Sequence, residues 1–186
     1  MILFDLPVYQ FIMSHFLPTT RLVTIMKIIT TLGSTLVIIT GLLCVAILTR
    51  SKKYFKIFVL ATVIGVIVNN IIKLIVRRPR PTNTMMFSSE STYSFPSGHS
   101  MMSMIFYGLI IYYVCKFIKN KKLKTLLVGF LSAIIFFIGF SRIYLGVHYA
   151  TDVLGGFIFG IIYLVIFIKV LKKFDNKKTY KKNKQF

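Results

Sequence analysis

The sequence predicts an all-α protein, a polytopic bundle of transmembrane helices built as a single membrane-embedded domain over residues 1–186. Three observations carry this expectation. The chain is 56% hydrophobic with a mean hydropathy of +0.77, whereas soluble domains are about 45–50% apolar even with Gly counted. Its apolar residues are gathered into runs near the roughly 20 residues needed to cross a hydrocarbon core. Its charges sit in short clusters between those runs, as in the loops of membrane proteins.

Five stretches are predicted to span: Ile28–Leu48, Phe55–Val76, Met101–Ile118, Leu126–Phe140 and Val153–Val170. The fourth is short and merges into Ser141. Ile2–Leu17 is apolar but contains Asp5, Gln10 and His15 and ends at Pro18, so it is expected either to lie in the interface as a helix or to make a sixth, partial crossing. Met1–Gln10 has no basic n-region and no small-residue cleavage site follows, so an apolar span is expected to serve as the insertion signal. Cys44 and Cys115 fall in apolar stretches without metal-type spacing, and they read as small apolar residues.

A net charge of +20, from 24 Lys and Arg against 4 Asp and Glu, invites a nucleic-acid reading. The distribution argues against it. Arg50–Lys56 carries four basic residues, Lys116–Lys124 five, and the tail from Lys169 eight, which is 17 of the 24. With five spans, all three segments fall on one side, and the positive-inside rule makes that side cytoplasmic. The tail 171–186 is therefore expected to be a basic cytoplasmic segment beside anionic lipid headgroups. Most of the other basic residues gather around Arg77–Pro81 and Arg142, next to Pro96–His99 and His148–Asp152. Polar groups at the ends of membrane helices are costly, so this cluster is where function is expected, at the extracytoplasmic face.

Three motifs compose it: Lys73 to Pro81 (KLIVRRPRP), Pro96-Ser97-Gly98-His99, and Ser141 to Asp152 (SRIYLGVHYATD). Lys73, Arg80 and Arg142 bring three cations to one face, and guanidinium groups bind phosphoryl oxygens bidentately. Developing charge in phosphoryl transfer is stabilised mainly by such positioned cations. Pro96-Ser97-Gly98-His99 opens the third span, where a helix N-terminus offers unpaired N–H groups to an anion. Gly98 permits close backbone approach, and Ser97 can cap the helix or donate its hydroxyl. His148 and Asp152 are four residues apart, the spacing that shares a helix face. Asp152 is expected to hold one ring nitrogen of His148 and leave the other to attack, with His99 suited to protonating a leaving oxygen. Nucleophile, orienter, acid and anion clamp form the minimum for transfer through a phosphohistidine. Few acids among many cations make a poor divalent-ion site, so no metal and no other cofactor is expected.

On these residues the chain resembles the type 2 phosphatidic acid phosphatase family: Lys73, Arg80 and Pro81; Pro96, Ser97, Gly98 and His99; Ser141, Arg142, His148 and Asp152. The segments Ile29–Ser34 and Ser141–Gly156 are similar to those of small bacterial members, among them phosphatidylglycerophosphate and undecaprenyl diphosphate phosphatases. The resemblance implies an all-helical membrane bundle and metal-independent hydrolysis of a lipid phosphate or diphosphate. It implies attack by His148, orientation by Asp152, protonation by His99, and phosphate held by Lys73, Arg80 and Arg142 with help from Ser97 and Gly98. Bacterial relatives commonly have six spans against the five counted here, which concerns the N-terminus and not the site.

Two alternatives stay open: a lipid phosphotransferase using the same histidine, and a non-catalytic lipid-binding protein. Arg77 and Arg78 read either as contacts for a second phosphate or as helix anchors at the headgroups, Glu90 as a headgroup contact or a solvated acid, and Asn69 and Asn70 as interhelical hydrogen-bonding residues.

Overall fold

The computed structural model describes residues 2–82 and 92–183, with side chains described for 4–82 and 92–174. Glu90 lies outside the described residues. Among the described residues the chain forms seven helices and no strand: α1 (Ile2–His15), α2 (Thr20–Thr31), α3 (Thr35–Thr49), α4 (Lys52–Val76), α5 (Gly98–Phe117), α6 (Lys121–Tyr144) and α7 (Ala150–Asn183).

Four of these are long and apolar enough to cross a membrane: α4, α5, α6 and the Ala150–Phe174 part of α7, of 25, 20, 24 and 25 residues. At 1.5 Å per residue they reach roughly 30–37 Å, enough for a hydrocarbon core. The expected first span is not one continuous helix. It is divided between the end of α2 and all of α3, which meet the length criterion only as a pair bent by 47°. The break follows from local chemistry. Thr19 caps α2, accepting the Leu22 N–H at 3.2 Å, and Ser34 starts a new helix by accepting the Val37 N–H at 3.4 Å. Between the helices Gly33 sits so close to α6 that a Cβ there would lie 2.8 Å from Ile138 Cγ2. Among the described residues there are thus four unbroken candidate spans, and a fifth only where the bent α2–α3 pair counts as one crossing, against the five unbroken spans expected.

The short fourth stretch grows into the full-length α6. Asn120 caps it through Leu123 N–H at 3.1 Å, and the Ser141 hydroxyl turns back onto Ile138 O at 2.6 Å, so polar ends are absorbed into the helix. At 14 residues, α1 is not among the helices long enough to cross. It packs on α6 and α7, burying Ile12 with Met26, Tyr144 and Val147.

Helix α5 is the centre of the bundle, wrapped by α4, α6 and α7. Its Met101, Ile105 and Leu109 are fully buried with Ile138, in a cluster that also takes in Phe167. Gly156 and Gly160 of α7 face it four residues apart; Cβ atoms there would lie 2.8 Å from Ser97 O and 2.8 Å from Met104 Cβ. Membrane helices approach closely through small residues at this spacing. The outward faces carry exposed Leu36, Leu48, Ile75 and Leu126. A soluble bundle would bury such side chains; lipid accepts them. The chain is a multi-pass membrane protein.

Candidate active site

Where the ends of α4 and α6 meet the starts of α5 and α7, the three motifs converge. Helix α4 stops at Arg77, whose left-handed backbone (φ 49°) sends its N–H back to Lys73 O at 2.9 Å. Pro79 and Pro81 then keep Arg78 to Pro81 out of helix. Lys73 thus faces the site from the last turn of α4, and Arg80 from the segment after it. Ser97 caps α5, its hydroxyl accepting from Ser100 N–H at 3.4 Å, and Gly98 and His99 open that helix. The turn from α6 to α7 needs a left-handed residue and has Gly146 (φ 71°). That turn delivers His148 just ahead of α7, with Asp152 in the first helical turn. His148 therefore precedes the helix rather than riding on its face.

His148 is 4% exposed. Its Nδ1 lies 3.4 Å from Asp152 Oδ2 and its Nε2 3.3 Å from Arg80 Nη1. With Nδ1–H directed to the carboxylate, the Nε2 lone pair faces the cation side of the site. Asp152 is held from several directions: the Ser94 hydroxyl and Tyr149 N–H (3.0 Å) donate to Oδ2, and Arg78 Nη1 donates to Oδ1 at 2.6 Å. Arg80 is aimed by donating to Val147 O at 2.8 Å, Thr92 O at 2.6 Å and Thr92 Oγ1 at 3.1 Å. Lys73 Nζ donates to Tyr93 O. Arg142, 2% exposed, donates to Thr30 Oγ1 at 2.9 Å. Ser97 N–H donates to Asp152 O at 3.0 Å, joining the second motif to the third. His99 stands beside the break between α2 and α3, its Cδ2 3.3 Å from where a Gly33 Cβ would be. A cavity of about 720 Å³ opens along α4 beside this cluster, lined by Asn70, Lys73, Arg78, Arg80, Thr92 and Tyr93.

Burial holds the His148 ring well below its ordinary value, at about 4; the Asp152 hydrogen bond opposes the shift, while Arg80 and Arg142 reinforce it. A folded value below 6.5 means the ring stays neutral as pH falls through 6.5 and gains its proton only near 4. In ¹⁵N ring NMR of detergent-solubilised protein, with the His148 signal identified by its loss on substitution, the midpoint is expected near 4. A midpoint near 6.5 would contradict a buried neutral imidazole.

All eight residues singled out from the sequence lie at this end of the bundle. Arg78 lines the cavity and is also drawn into ion pairs within the protein, with Asp5 at 2.7 Å and Asp152 at 2.6 Å, lying over the Tyr149 ring at 3.9 Å. Asn69 meets Met101 Sδ across α4 and α5 at 3.4 Å, while Asn70 is exposed toward the cavity. Ser94, Thr30 and Asp5 carry no motif. For Asp5 a signal did exist, since an acid within an apolar stretch requires a partner.

A membrane-embedded helical bundle with a buried His–Asp pair facing converging cations is the class this fold and site define. The chain belongs to the PAP2 superfamily, whose family model matches residues 54–175. It is 40% identical over 115 residues to phosphatidylglycerophosphatase B of Bacillus subtilis, covering 60% of this chain and 53% of that protein. It is 30% identical over 127 residues to the undecaprenyl-diphosphatase BcrC of the same organism, covering 65% of this chain and 60% of that one. The chain thus matches little more than half the length of these relatives. The fold is similar to the crystal structure of a transmembrane PAP2-type phosphatidylglycerolphosphate phosphatase from Bacillus subtilis (TM-score 0.80, 29% identity, 93% of this chain and 85% of that one). It is also similar to Aquifex aeolicus LpxE (TM-score 0.71, 25% identity, 89% of this chain and 94% of that one).

Proposed function

We propose that this protein is a metal-independent lipid phosphatase that hydrolyses a lipid phosphate or diphosphate at the extracytoplasmic face through a phosphohistidine on His148. The observation that carries the reading is the His148 ring itself. It is buried, with one nitrogen toward Asp152 and the other toward Arg80, and that burial disfavours its charged form. A neutral imidazole so held is a nucleophile at ordinary pH.

In this reading a lipid phosphate enters from the cavity along α4, and its oxygens meet Lys73, Arg80 and Arg142, the Gly98 N–H and the Ser97 hydroxyl at the start of α5. His148 Nε2 attacks phosphorus and the bond to the lipid oxygen breaks. His99 gives that oxygen a proton, and the lipid leaves as an alcohol, or as a monophosphate if the substrate was a diphosphate. Asp152 steadies the charge that the ring acquires. Water then attacks phosphorus, His99 takes its proton, and His148 is released with inorganic phosphate. Three basic clusters support the sidedness, since the α3–α4 turn, the α5–α6 turn and the end of α7 all lie away from His148.

Undecaprenyl diphosphate and phosphatidylglycerophosphate are the leading substrates, on the names of the relatives. Purified protein with excess chelator is expected to release inorganic phosphate from at least one of undecaprenyl diphosphate, phosphatidylglycerophosphate and phosphatidate. Release from none of them would overturn the reading. A new phosphorylated lipid in place of free phosphate would make the protein a transferase.

A further inference from the structure

Asp5 is one of four acids in the chain, is 2% exposed, and lies on a helix that contributes no motif residue. Both of its oxygens are engaged. Oδ1 accepts the Thr151 N–H at 2.8 Å; Oδ2 accepts the Thr151 hydroxyl at 2.8 Å and Arg78 Nη2 at 2.7 Å. Arg78 turns its other terminal nitrogen to Asp152 Oδ1 at 2.6 Å and Thr151 Oγ1 at 2.7 Å, its plane resting on Tyr149. A single guanidinium thus spans two carboxylates, one on α1 and one behind His148.

This arrangement does two things to the turn that carries His148. The first N–H groups of α7 have no partner within the helix, and Asp5 supplies an acceptor and a negative charge to the Thr151 N–H from another helix. The fork geometry of Arg78 then fixes the plane of the Asp152 carboxylate, because charge-assisted bonds to both terminal nitrogens leave it little freedom. The other Asp152 oxygen is thereby presented to His148 Nδ1.

We infer that Asp5 is a positioning residue, acting through Arg78 to hold Asp152 in line with His148, so that α1 completes the site without touching substrate. This rests on the reading of His148 and Asp152 as the reacting pair. Residues that orient metal ligands from behind typically cost about 10–100-fold when removed, and the same scale is taken for a brace behind a reacting histidine. Asp5→Asn is therefore expected to lower kcat by that order while KM stays within about twofold. Arg78→Gln is expected to do the same. The Asn amide keeps an oxygen for the Thr151 N–H, so what both variants break is the path through Arg78, and adding Asp5→Asn to Arg78→Gln is expected to cost less than about twofold more.

The test is that cycle on the full chain in detergent, with phosphatidylglycerophosphate and undecaprenyl diphosphate as donors, alongside the ¹⁵N ring spectrum of His148. Asp5→Asn is expected to reduce the share of the Nδ1–H tautomer. Additive losses in the double variant, a raised KM at unchanged kcat, or an unchanged tautomer would overturn the inference. If the unsubstituted protein releases no phosphate, the proposed activity fails, while the tautomer still decides the role of Asp5. Should Asp5→Asn not fold, Asp5→Ser replaces it, keeping an acceptor for the Thr151 N–H without the charge.

Discussion

His148→Ala is expected to lower the rate of phosphate release by at least about 10⁴-fold, the scale seen when a covalent nucleophile is removed. The substitution leaves the surrounding framework in place. Asp152 keeps Ser94, Tyr149 N–H and Arg78, and Arg80 keeps Val147 O and Thr92. The loss therefore falls on the chemical step and not on the fold. Labelled donor lipid quenched in alkali, where phosphohistidine survives, should leave label on the unsubstituted protein and none on the variant. A variant rate within tenfold of the original would show that another group attacks phosphorus.

Asp152→Asn is expected to produce the second largest effect, a fall in kcat of at least about 10³-fold, on the way to the roughly 10⁴-fold loss found when an orienting carboxylate is replaced by its amide. The carboxylate only accepts, and it receives donors on both oxygens: Arg78 on one, Ser94 and Tyr149 N–H on the other. An amide has a single acceptor oxygen, so its NH₂ must face donors on one side or the other. If the NH₂ faces His148, it drives the ring toward the Nε2–H tautomer, which cannot attack through that atom. If it faces Arg78, it opposes a cation. Asp152 lies behind the histidine, so KM should change by no more than about threefold. Rates should be compared per folded molecule, with thermal unfolding measured beside them. A large rise in KM at constant kcat would mean that Asp152 binds substrate instead.

The two predictions draw on different kinds of knowledge. The pairing of His148 with Asp152 was legible from a spacing of four, even though His148 proves to precede α7 instead of lying on it. The cations were legible because basic residues at helix ends, away from the other basic clusters, have to be explained. The hydroxyl of Ser94 was not. It occupies a connection with no periodicity, and only the bonds from Ser94 N–H to Arg78 O and from its hydroxyl to Asp152 show what it does. The break at Gly33 was also illegible, because hydropathy reads straight through it. The reasons for it are a serine cap and the closeness of α6 and His99.

By itself the sequence determined the class of protein and the residue types available for its chemistry. Hydropathy, charge clustering and short spacings are local quantities, and they survive without knowledge of packing. Tertiary structure alone decided which charges neutralise which. Asp5 pairs with Arg78 across 73 positions and with Thr151 across 146, and Arg142 reaches Thr30 across 112. An ionised group within apolar helices has to find a partner, but no local rule names that partner. The packing of α1 against α6 and α7 turned Arg78 from an apparent surface cation into the brace behind Asp152.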